Sequence, residues 1–185
     1  MGKRMTLQKI KRVFRRFDDM AVRDIEKAFN GGAKVGAFIL TLVAIDCLAT
    51  WYKGKDSDGV TYKDFICDFF PDRYKPIAES MHTYLRSGLI HNYSTKKRGH
   101  YALVDGKPNL HLNLTPEKTV IINYEDFFED FISAKNKYYK RVLESKKLQY
   151  VFQERIERQG ALDIRILLLA NSIASTASMT GDDDL

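Results

Sequence analysis

The sequence predicts a mainly α-helical bundle carrying one small β insertion. Three observations point there. Apolar residues recur at helical spacing from Leu7 to Phe29 and again beyond Tyr124. A nearly unbroken apolar run, "VGAFILTLVAIDCLATWY" at 35–52, is too long for a strand. Strand-like segments bounded by Gly, Pro and Asn are confined to about residues 100–123.

Each element follows in order. Leu7, Ile10, Val13, Phe14 and Phe17, then Ala21, Ile25 and Phe29, predict a first helix over about 6–29 with Thr6 as N-cap. The "NGG" at 30–32 stops it, because glycine readily occupies the position past a helix end. A second helix, 33–52, is apolar almost all round and belongs at the centre of the core. Asp46 inside it, and Lys34 and Lys53 around it, favour a buried helix over a membrane span. Asp46 itself reads either as bonded for structure or as orienting Arg86 or His91. After the polar loop "KGKDSDG", Thr61 followed by Asp64 resembles a capping arrangement that opens the short helix "YKDFICDFF", which Pro71 ends. Another helix runs from about Pro76 to about Leu89. "HYALVDGKPNLHLNL" then reads as two strands around a turn, and "KTVIIN" as a third. Asn123 caps one long helix reaching Gly160, with Phe127, Phe131, Tyr138 and Val142 on a stripe. "LDIRILLLANSIASTASM" is apolar enough for a last helix. Neither a repeat nor a dividing linker is visible, so residues 1–185 form a single domain.

Composition narrows the function classes. With 44% hydrophobic and 29% charged residues among 185, the chain is globular in type. Its net charge of +6 permits a polyanionic partner. Lys3, Arg4, Lys9, Lys11, Arg12, Arg15 and Arg16 all precede the first acid, Asp18; a solvated helix face is their simplest reading. A second basic cluster is Lys96, Lys97 and Arg98. Cys47 and Cys67 have no metal-ligand spacing and make no disulfide framework. His82, His91, His100 and His111 are too scattered for a zinc motif, and His100 and His111 read as strand positions. Phosphate-binding, nucleophile-elbow and dinucleotide glycine motifs are missing. The expectation is a cytoplasmic protein with no cofactor, no metal and no membrane.

One stretch carries chemistry. "YLRSGLIHNYS", 84–94, places Arg86, His91 and Tyr93 at a helix end, directly before the second basic cluster. Cleaving RNA without a metal requires a group that moves a proton near neutrality, which histidine does with a pKa of about 6.5. It also requires fixed positive charge where the phosphorane develops, which arginine supplies with two-point contact to phosphate. Tyr93 can hydrogen-bond phosphate or stack on a base. Because Arg86 and His91 lie five apart, they leave one helical face, and convergence requires a bend near Gly88 or a second subunit.

"RSGLIHNY" resembles the R-x4-H-x-Y signature of the HEPN superfamily, in particular HEPN toxins paired with nucleotidyltransferase antitoxins. The resemblance implies a HEPN-like helical bundle, here with a β-hairpin or three-strand insertion at about 100–123 and a C-terminal helical extension. It further implies a metal-independent endoribonuclease with a toxin or defence role, acting as a homodimer with an antitoxin as a further partner. Arg86 and His91 would be catalytic, lining a cleft between two subunits. Tyr93 would support them, being a target for nucleotide modification in the toxin branch. Ser87 stands where many members carry Asn, Asp or His. Lys96, Lys97 and Arg98 would contact RNA. The alternatives are a non-catalytic HEPN-like module that binds RNA, nucleotide or protein, and a helical interaction protein whose motif is accidental.

Overall fold

The computed structural model describes residues 5–94 and 101–159, the side chains of residues 108 and 159 excepted. It is mainly helical, with one two-stranded parallel sheet. Thr6 is extended (φ −73°, ψ 153°) and its hydroxyl accepts the Lys9 N–H at 3.3 Å, starting α1, Leu7–Phe17, where the capping pattern places it. The helical path then widens through a π turn, Asp18–Val22, before α2, Arg23–Asn30. The widened turn changes which residue faces the core. Phe17 is followed on the buried side by Val22, five residues on, and Ala21 is only partly covered. A regular helix would have buried Ala21 instead.

Helix α3, Lys34–Lys53, is the axis of the molecule. Its length and composition would suffice to cross a bilayer, and in the fold α2, α4, α7 and α8 all pack on it. It ends at Gly54, in the left-handed region at φ 69°. A Cβ at Gly54 would stand 2.9 Å from Val151 Cγ1, so α8 lies against this backbone.

Helix α4, Gly59–Phe69, is capped by Asp58, whose carboxylate accepts the Thr61 N–H at 2.6 Å. The expected Thr61 cap is therefore displaced by three residues. Thr61 sits inside the first turn, fully buried, because an extended Asp58 (φ −140°, ψ 174°) offers the better-placed acceptor. Beyond Pro71 a 3₁₀ turn, Asp72–Ile77, leads into α5, Ala78–Ser80, then a second π turn, Met81–Arg86, and α6, Ser87–Asn92. The chain is thus helical earlier and later than the expected 76–89.

The β segment departs most from expectation. Strand β1, Tyr101–Val104, pairs parallel with β2, Val120–Asn123, with Tyr101 opposite Val120. The hairpin is formed further on. Residues 112–115 fold back on 119–121, with Leu112 N–H to Ile121 O at 2.7 Å and Thr115 N–H to Thr119 O at 2.9 Å. The tight turn thus falls at 115–119, where Lys118 takes φ 61°, rather than at the Gly–Lys–Pro–Asn stretch. Asn123 caps α7, Tyr124–Glu144, by accepting the Asp126 N–H at 3.0 Å, as its position suggests. The long C-terminal helix is two. Ser145 leaves the helical region (φ −108°, ψ 110°) and its Oγ accepts the Leu148 N–H, starting α8, Lys146–Gln159. Phe127, Phe131, Tyr138 and Val142 are all fully buried. Phe14 joins α1 to three other helices through Trp51, Tyr138 and Phe152. Gly160 and the apolar segment after it lie outside the described residues.

Gly36, inside α3, and Gly54, just past its end, should answer oppositely to alanine. Gly54→Ala meets both a left-handed φ and Val151, and should cost about 1–3 kcal/mol in urea unfolding. Gly36→Ala, with nothing nearer than 3.9 Å inside a regular helix, should be neutral or stabilise by up to about 1 kcal/mol.

Candidate active site

Arg86 closes the second π turn and reaches across to α3. Its Nε–H and Nη2–H both donate to Asp46 Oδ2, at 3.0 and 2.5 Å. The other carboxylate oxygen, Oδ1, accepts the hydroxyl of Ser57 from the α3–α4 loop. Asp46 is 7% exposed, whereas the Arg86 side chain keeps 25% of its surface in solvent. The guanidinium is therefore clamped along one edge. Its Nη1 makes no hydrogen bond to a described residue. Both readings of Asp46 fit this geometry: it is bonded to a basic side chain, and that bond orients Arg86.

The ground beneath the pair is apolar. Tyr62 is fully buried next to it, and its hydroxyl has no hydrogen-bond partner among the described residues. Burial first, and the Asp46 carboxylate second, push this phenol well above its ordinary range. Burial, again with Asp46 adding to it, pushes the Cys47 thiol up to about 12, which keeps Cys47 protonated and inert at neutral pH.

His91 stands on the last turn of α6, exposed, and bonds to no described residue. Tyr93 follows in the left-handed region (φ 52°), 69% exposed, and ends the helix. From Ser87 to Asn92 the helix is regular, so five residues rotate His91 by about 140° from Arg86. The bend near Gly88 that would bring the two together within one chain does not occur. Gly88 is buried in a regular turn, and the widened turn lies before Arg86. Arg86 faces the bundle and His91 faces solvent, so one chain does not bring the pair together. Ser87 is half-buried and bonds through its side chain to no described residue. Lys96, Lys97, Arg98 and His100 lie outside the described residues. Two cavities, of about 380 Å³ between α3, α7 and α8 and about 330 Å³ between α3 and the first π turn, are lined by neither Arg86 nor His91.

Comparison with known families, curated proteins and solved structures finds no match for the chain.

A second polar cluster escaped the sequence reading. His111 is no plain strand position. Its side chain is buried, with Nδ1 accepting the Asn123 N–H at 3.1 Å and Nε2 lying 2.7 Å from the Tyr74 hydroxyl. Since Nδ1 accepts, the neutral ring carries its proton on Nε2 and directs it to Tyr74. Tyr74 in turn donates to Asp130 Oδ2 at 2.8 Å, which also takes Arg73 Nη2 at 2.6 Å. The cluster ties the β segment and the 3₁₀ turn to α7. Its members are 37 and 56 residues apart along the chain, so no local spacing announces it.

Burial raises the Asp130 carboxyl, but the nearby His111 ring and the hydrogen bonds from Arg73 and Tyr74 outweigh it and hold the group below its ordinary range. A carboxyl depressed on folding contributes stability above its unfolded pKa, and that contribution is lost as pH falls through the folded value. Urea midpoints measured between about pH 6 and pH 3 should therefore fall more steeply, below about pH 4, for the wild type than for Asp130→Asn. Parallel slopes would remove this carboxylate from the acid response.

Proposed function

We propose that the chain is a metal-independent endoribonuclease of HEPN type that works as a homodimer. The observation that carries the reading is the state of the two motif side chains. Arg86 is pre-oriented by Asp46 and Ser57 with one edge open, and His91, on the next turn, is exposed and unengaged. In the HEPN resemblance these two residues act across a two-fold axis. Their divergence within one chain means that this reading requires a second copy to bring a partner Arg86 towards each His91; without one, the divergence fits a helical interaction protein whose motif is accidental.

The chemistry follows from the groups. A neutral His91 accepts the proton of the ribose 2′-OH, and the 2′-oxygen attacks the adjacent phosphorus. The bond from phosphorus to the 5′-oxygen breaks, and that oxygen takes a proton from the protonated His91 of the other copy. The products are a 2′,3′-cyclic phosphate and a 5′-hydroxyl. Arg86, through Nη1 and its exposed edge, stabilises charge on the equatorial oxygens of the phosphorane. Asp46 is a positioning residue, since it touches only Arg86 and Ser57. Tyr93 is placed to stack on a base or hydrogen-bond a phosphate beside His91. A toxin or defence role, and an antitoxin partner, come from the resemblance alone.

One observation favours a second reading. Arg86 already faces a carboxylate, which offsets much of its charge. A non-catalytic HEPN-like module that binds RNA, nucleotide or protein fits that pairing as well.

The test is cleavage of a labelled RNA in EDTA by the wild-type dimer and by His91→Ala. The wild type should cut, and His91→Ala should be slower by about 10²-fold or more. Equal rates, or a wild type that is dimeric and inert, would sink the nuclease in favour of the binding module.

A further inference from the structure

The proposed nuclease leaves α1 without a role, yet α1 carries the strongest uncompensated charge among the described residues. Lys9, Lys11, Arg12, Arg15 and Arg16 are all exposed, and no acidic residue stands among them. Ile10, Val13, Phe14 and Phe17 occupy the opposite, buried side, so the five cations share the solvent face of about two turns. None of them pairs with a described carboxylate. The nearest acids are already committed elsewhere: Asp18 to Lys135 at 2.5 Å, and Asp19 to Arg23 at 2.8 Å. Other cations behave differently. Lys34, Lys53, Lys55, Lys63 and Lys75 each hold a carboxylate.

Such an arrangement works against the helix that bears it. Lys11 with Arg15, and Arg12 with Arg16, are like charges at i, i+4, which repel. Lys9 lies in the first turn, where the helix dipole disfavours a cation. No described carboxylate offsets this repulsion.

We infer that the exposed face of α1 is a docking surface for RNA, gripping the phosphate backbone without reading bases. This rests on the nuclease or RNA-binding reading of the chain, and adds a contact on a different helix from Arg86 and His91. An anionic membrane is the rival polyanion. A membrane-surface helix inserts an apolar face, and the apolar face of α1 is committed to the core through Phe14 against Trp51 and Phe152. RNA needs only the phosphate contacts that the cations can give. Arginines offer two-point contact to phosphate oxygens, and lysines offer point charges.

The experiment compares two full-length proteins, both carrying His91→Ala so that cutting does not confuse binding. One of them also carries Lys11→Gln, Arg12→Gln, Arg15→Gln and Arg16→Gln. Anisotropy of a short fluorescein-labelled single-stranded RNA is read across a salt series. Each phosphate contact contributes about 0.7 to the slope of log affinity against log salt, so loss of four should flatten it by about 3. Affinity at low salt should fall at least about tenfold. Thermal stability should stay level or rise, because glutamine removes the repulsion without breaking the helix. Unchanged affinity and slope would overturn the proposal. So would a drop in melting temperature with RNA binding intact, which would make the cations structural. Binding of both proteins is also measured to vesicles containing phosphatidylserine, and vesicle binding without RNA binding would replace RNA by a membrane. Separately, RNA bound through α1 by a wild type that never cuts it would end the nuclease reading and leave this one standing.

Discussion

The fold turns on a carboxylate in the middle of its most apolar helix. An isolated charge at Asp46 would carry a large desolvation cost, so α3 cannot sit at the centre of the core unless that charge is answered. Arg86 and Ser57 answer it from two different parts of the chain, one 40 residues on and one 11. The pair therefore fixes three elements together: α3, the loop before α4, and the turn leading into α6. Removing one partner from a buried ion pair typically costs about 3–5 kcal/mol, because the other is left stranded. With a quarter of the Arg86 side chain in solvent, the lower end applies. The constraint also runs outward. Whatever binds Arg86 meets an arginine whose rotamer and outward edge are already set.

Both π turns serve this placement. A π turn adds one residue without ending the helix, shifting every later side chain around the axis. The first lets Val22 and Ile25 continue the buried side that begins with Ile10, Val13, Phe14 and Phe17. The second ends at Arg86, immediately before a regular turn, so arginine points inward and the residues after it resume solvent exposure by His91. Divergence of Arg86 and His91 is thus a product of where the extra residue sits. A widening after Arg86 would have brought the two nearer one face.

The sequence disclosed what depends on neighbours and withheld what depends on distance. Thr6 and Asn123 were legible as caps, because a cap needs only a short polar acceptor two or three residues before a free N–H. Helix α3 was legible from its unbroken apolar run. Asp58 was passed over for Thr61, since both are good caps and only the backbone angles choose between them. Neither π turn leaves a local mark: "DDMAV" and "MHTYLR" contain no breaker. The hairpin was put at the glycine–proline stretch, the usual signal, but parallel pairing of β1 with β2 needs the whole intervening segment as a crossover. The His111 cluster depends on three separate elements meeting, and periodicity says nothing about that.

The two polar clusters contain the same kinds of side chain and differ in what remains free. At Asp130 every ring position of the imidazole is used: His111 Nδ1 takes an amide proton, and Nε2 faces Tyr74, which is itself bound to the carboxylate. No lone pair on that histidine is left to accept a proton from a substrate, and burial closes the approach. At Asp46 the clamp stops at the arginine. One edge of Arg86 is open, and His91 has both nitrogens free of described partners. General acid–base work needs a histidine that can change its protonation state without breaking the fold. The lone pair of His111 is spent on the Asn123 N–H at the start of α7, and His91 has no described partner. The buried histidine holds the β segment against the helices, and the exposed one makes no such tie to a described residue.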